Sequence, residues 1–85
     1  MQTIWKYPLH KMINYIELPT VARVLAVHMQ GRFPCLWVQL DTHSETMRRK
    51  FAIYSTGEEL PDNAGIYVGS VFPDDAELVW HIYEI

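Results

Sequence analysis

Few residues in this chain have the types and spacing that chemistry requires. The four histidines, His10, His28, His43 and His81, lie too far apart for a helical HExxH or H-x3-H metal pair. Asp41-Thr42-His43-Ser44-Glu45 gathers an acid, a base and a hydroxyl in one short stretch. Neighbours in a loop cannot reach the mutual geometry of nucleophile, base and orienter, so no triad is expected there. Cys35 follows Pro34 at the start of an apolar run and reads as a core residue. An activated thiol would need an electropositive, partly open site. Asp74, Asp75 and Glu77 offer carboxylates that could attract calcium, but they fall well short of a twelve-residue EF-hand loop. Gly57, Gly65 and Gly69 do not form a phosphate-cradling loop ahead of a helix. The expectation is a non-catalytic protein with no metal and no cofactor.

Binding chemistry is better represented. Aromatic residues make up 13% of the chain and include Trp5, Trp37 and Trp80. Trp and Tyr are the side chains most used at interface hot spots and base-stacking platforms. Trp37 shares a strand face with Gln39, and Tyr54 shares one with Lys50, so these two aromatics are the candidates for exposed contact. With Arg48 or Lys50 they could line a cleft that stacks a nucleobase and neutralises phosphate. Charge is divided along the chain. Residues 1–50 hold all seven basic residues and three acids, whereas residues 51–85 hold seven acids and no Lys or Arg. Two halves side by side would compensate each other. If they do not, Glu58, Glu59 and Asp62, with the Asp74–Glu77 turn, form an acidic surface that attracts a basic partner. A net charge of -3 argues against a general nucleic-acid binder, although Arg48-Arg49-Lys50 could contact phosphate.

The elements that must position these residues read as strands, since period-2 alternation is found almost throughout. Thr3–Leu9 is a first strand, and Pro8 places it at a sheet edge or a strand end. Ile13–Leu18 is a second, stopped by Pro19. Val21–Gln30 sets Val21, Arg23, Leu25, Val27 and Met29 on one face and Ala22, Val24, Ala26 and His28 on the other. Gln30-Gly31-Arg32 turns the chain into Cys35–Asp41, giving a hairpin whose Leu36, Val38 and Leu40 face the core. Arg48–Thr56 points Phe51 and Ile53 inward. Residues 58–65 are a loop, and Ile66–Phe72 is a strand in which Gly69 permits a bulge or the close approach of another backbone. Leu78–Ile85 is apolar on both faces, which suits a central strand or one used for self-association. Were it an edge strand, it would pair with a second copy. The expected fold is a single all-β domain over residues 1–85, a small antiparallel β-sandwich or β-barrel of about seven short strands.

With 85 residues and 49% hydrophobic side chains, the chain has the material for one modest core. One cysteine excludes an internal disulfide framework. No apolar run is long enough to span a bilayer, and the opening residues lack the pattern of a secretory signal, so a cytoplasmic protein is expected. Taken in order, Thr3–Leu9 (TIWKYPL), Ile16–Pro19 (IELP), Pro34–Val38 (PCLWV), Ile53–Pro61 (IYSTGEELP), Gly65–Gly69 (GIYVG) and Leu78–Glu84 (LVWHIYE) resemble a family of short bacteriophage and prophage proteins, a domain of unknown function. The resemblance implies a phage accessory protein acting in the bacterial host's cytoplasm. Such a protein binds and inhibits or redirects a host protein, in some cases one of anti-phage defence. Two other readings stay open: a small barrel that sequesters a nucleotide, and a surface for single-stranded nucleic acid.

Overall fold

In the computed structural model, which describes residues 1–74 and 77–85, the alternating segments form seven strands and the described residues contain no helix. They are β1 (Gln2–Pro8), β2 (Ile13–Pro19), β3 (Arg23–Gln30), β4 (Phe33–Asp41), β5 (Thr46–Ser55), β6 (Ile66–Val71) and β7 (Trp80–Glu84). Two antiparallel sheets result, one ordered β1-β4-β3 and the other β2-β5-β7-β6, packed face to face as a sandwich. No helix among the described residues is long and apolar enough to cross a membrane.

The core lies where the alternation is cleanest. Leu36, Val38 and Leu40 of β4 meet Phe51 and Ile53 of β5 and Ile82 of β7, with Leu9, Leu18, Val27 and Val71 closing the layer. Fully burying one such side chain is worth roughly 1.5–3 kcal/mol. Tyr7 packs against this core from β1, and partial burial pushes its phenol above the ordinary value. Cys35 is buried, as expected, and its thiol contacts the Phe33 carbonyl oxygen at 3.7 Å.

The β3–β4 hairpin forms at the expected place, with Gln30 opposite Phe33. Gly31 takes a φ of 64° at the first turn position, which a side chain would resist. The alternation expected for β3 is broken by a bulge between Val24 and Ala26. Val24 and Val27 therefore both pack toward the core, Ala26 and His28 lie opposite the outward Trp37 and Cys35, and Leu25 is left exposed. Period-2 counting cannot survive an inserted residue.

The expected bulge in β6 is present between Tyr67 and Gly69. Gly69 also permits a close approach: a Cβ there would sit 2.6 Å from Cγ1 of Val27 on the opposing sheet.

Strand order corrects the self-association route through Leu78–Ile85. β7 lies between β5 and β6, so its backbone groups are used within the chain. The terminal strand is apolar on both faces because it is central. β5 and β6 both run antiparallel to β7 and are therefore parallel to each other. The exposed segment 56–65 must return along the whole sheet to join them, and the inner face is already packed against β3. On the outer face of β5, Ala52 and Tyr54 are buried all the same.

Candidate binding surface

The four residues expected to form one cleft are not brought together. Trp37 lies on the outer face of the three-stranded sheet, half-buried, opposite Lys6 and Ala26 and edge-on to His28 at 6.1 Å. Arg48 and Lys50 lie on the outer face of the other sheet, on the far side of the sandwich. There they flank the exposed Tyr15 ring at 5.5 and 5.7 Å, and Arg48 also approaches Glu17 at 3.8 Å. Tyr54 is corrected from a surface aromatic to a buried one. It is only 8% exposed and stacks edge-on against Tyr83 at 5.7 Å. An outward position in the strand is therefore not an open one here: Tyr54 is closed in beside Tyr83 on the same face.

The acidic segment is partly engaged in local structure. Glu58 turns back and accepts a hydrogen bond from the Ser55 amide at 3.0 Å, while Glu59 and Asp62 remain exposed along the crossover. Asp74 is exposed. The proposed calcium set also needs Asp75, which lies outside the described residues. No group of three or more His, Cys, Asp or Glu close enough to hold a metal ion occurs among the described residues.

Two arrangements that sequence spacing did not point to are well built. One is a groove of about 570 Å³ where the β3 and β6 edges meet. Its walls are Val21–Ala26 on one side and Tyr67 and Val68 on the other, with Arg49 and Glu84 also lining it. Both walls carry a β-bulge, a feature that re-aims side chains at the ends of sheets. Val21 is 84% exposed, Leu25 43% and Tyr67 55%, so the rim is largely apolar, with Arg23 the exposed cation on it. Arg49 donates from Nε to Glu84 Oε2 at 2.6 Å, from Nη2 to Oε1 at 2.7 Å and from Nη1 to the Ala22 carbonyl at 2.7 Å. Hydrogen bonding to Glu84 raises the guanidinium above its ordinary value despite its partial burial. With its charge matched, Arg49 is a poor phosphate clamp. It was hidden in the sequence between Arg48 and Lys50, and only the inward side of β5, shared with Phe51 and Ile53, distinguishes it.

The second arrangement is a hydrogen-bond chain on the outer face of β6 and β7. Tyr67 Oη meets Ser70 Oγ at 2.7 Å, Ser70 Oγ meets His81 Nδ1 at 2.7 Å, and His81 Nε2 meets Thr56 Oγ1 at 2.8 Å. Thr56 Oγ1 also lies 3.4 Å from the Val79 carbonyl, and where it donates there its oxygen is the acceptor for Nε2–H. Nδ1 then accepts from Ser70, and Ser70 from Tyr67. Both ring nitrogens face hydroxyls, Ser70 and Thr56, where the base of a hydrolytic triad has a carboxylate at one of them. The chain ties β6, β7 and the start of the crossover together.

The molecule is thus an all-β sandwich of two antiparallel sheets with a groove at its bulged edges. The chain belongs to the family described as Domain of unknown function (DUF7352), whose model matches residues 1–85. No curated protein and no solved structure matches it.

Proposed function

We propose that this protein is a non-catalytic interaction module, a phage accessory protein that binds and inhibits or redirects a bacterial host protein in the cytoplasm. The observation that carries this reading is the β3–β6 groove, whose largely apolar rim, with Arg23 exposed on it, surrounds an Arg49 already neutralised by Glu84. Such a groove suits apolar side chains and backbone groups of a polypeptide, and Glu59 and Asp62 nearby in sequence to β6 favour basic flanks. A nucleotide would need a free cation beside an aromatic face. Trp37 and Tyr54 are separated from that role by position and burial, respectively, and the exposed Tyr15 ring already has Arg48 and Lys50 over it. The phage setting and a role against host defence rest on the sequence resemblance.

The test is affinity capture from bacterial lysate with wild-type protein and with Leu25→Asp and Val21→Asp, both at exposed positions. A host protein retained by the wild type and lost with both variants supports the reading. Equal capture by all three, or strong thermal stabilisation by nucleotides with no protein retained, overturns it.

A further inference from the structure

The two sheets leave four edge strands, β1, β3, β2 and β6. An edge presents unpaired backbone donors and acceptors, and natural proteins blunt it with bulges or charge. Bulges interrupt β3 and β6. β1 is regular from Gln2 to Pro8.

The parity of its free groups follows from the ladder ends. Leu9 N–H donates to the Pro34 carbonyl, and Thr42 N–H donates to the Met1 carbonyl, each at the register of the β1–β4 pair. Odd-numbered residues of β1 therefore bond to β4. The N–H and C=O groups of Gln2, Ile4 and Lys6 point away from the sheet. Ile4 is 55% exposed on one face of the strand and Trp5 49% on the other, so neither face is covered. Lys6, the one charged side chain on β1, is drawn across the sheet to Gln30 Oε1 and away from the edge.

We propose that β1 pairs antiparallel with β1 of a second copy about a two-fold axis at Ile4. In that register Ile4 opposes the partner's Ile4, and Gln2 opposes the partner's Lys6. All the free groups of Gln2, Ile4 and Lys6 are used, in about six backbone hydrogen bonds. Thr3 comes beside the partner's Trp5 on the opposite face. No like charges oppose one another, and the two three-stranded sheets become one continuous sheet. The edge of β2 lacks this self-complementarity. Its free groups belong to Ile13, Tyr15 and Glu17, and a two-fold axis at Tyr15 would crowd Arg48 and Lys50 of both copies around two adjoining rings. β1 and β3 are opposite edges of their sheet, so the dimer is independent of what the groove binds.

Sedimentation equilibrium on the full chain tests the proposal. The wild type is expected at twice its 10.0 kDa chain mass. Ile4→Lys, at an exposed position that spares the β4 ladder, is expected at the monomer mass with an unchanged circular dichroism spectrum. Ile4→Cys should give a disulfide-linked dimer on mild oxidation, since paired Cα atoms at a hydrogen-bonded site lie about 5.5 Å apart. Cys35 is buried and does not confuse the result. A wild type that stays monomeric at all concentrations overturns the proposal. So does a dimer that survives Ile4→Lys but is dispersed by Tyr15→Lys.

Discussion

Arg49 holds Glu84 through two parallel bonds, Nε to Oε2 at 2.6 Å and Nη2 to Oε1 at 2.7 Å, tying β5 to the far end of β7. Its third bond reaches the Ala22 carbonyl, so one guanidinium joins the four-stranded sheet to the segment that enters β3. Arg49→Met should cost about 2 kcal/mol, between the values of surface and fully buried pairs. A double-mutant cycle with Glu84→Gln, read by urea unfolding, should return a coupling near 1 kcal/mol or more. The raised guanidinium value means this stabilisation is fully present below the ordinary arginine value and is lost only as pH rises above it. No alkaline loss from Arg49 is expected in the working range.

Gly69 and Val27 set the distance between the sheets where the groove begins. Gly69→Ala would place a methyl group 2.6 Å from Val27 Cγ1, within an otherwise packed layer. A loss of about 1–3 kcal/mol is expected in thermal unfolding. Val27→Ala alone is also destabilising, since Val27 is buried, but in the double variant the new methyl group occupies space that Val27 vacates. The double variant should therefore lose less than the two single losses combined. A simple additive result would mean that the contact does not limit the sheet spacing.

The strands were legible because β4 and β5 alternate strongly and Gly31, Pro8 and Pro19 punctuate the chain. The Gly69 bulge was legible too, since glycine inside a strand marks one. The bulge at Val24–Ala26 has no glycine and leaves no such mark. Tyr54 differs from its expected exposure for another reason: its face is outward in its own sheet, but the pairing of β5 with β7 sets the Tyr83 ring against it. Arg49 and Glu84 lie far apart in the chain, and only the pairing of β5 with β7 brings them together. Local patterns carry faces and turns, whereas sites made by crossovers and sheet edges depend on topology.

The Ser70–His81 bond holds the imidazole between two hydroxyls, Ser70 at Nδ1 and Thr56 at Nε2. Ser70→Ala removes the donor to Nδ1 from a partly buried position. The expected cost is about 1 kcal/mol, measured by urea unfolding. Nitrogen NMR of the wild type should show the Nε2-protonated tautomer, and in Ser70→Ala that preference should weaken. A wild-type ring that is protonated mainly on Nδ1 would reverse the assigned direction of the whole chain.

Asp41 accepts the His43 amide and the Met1 ammonium at the same oxygen, each at 3.0 Å. These bonds hold its carboxyl below the ordinary value, with the His43 amide the larger cause. A lowered carboxyl contributes stability that is present above its unfolded value and is lost as pH falls through the folded one. Asp41→Asn should therefore flatten part of the acid limb of stability, read as urea midpoints from about pH 5 down to about pH 2. N-terminal acetylation separates the two causes, because it removes the ammonium and leaves the His43 amide in place. The Asp41 carboxyl, followed by NMR, should move only part of the way back toward its ordinary value. Full return on acetylation would assign the effect to the Met1 ammonium and remove the 41–43 turn as its main source.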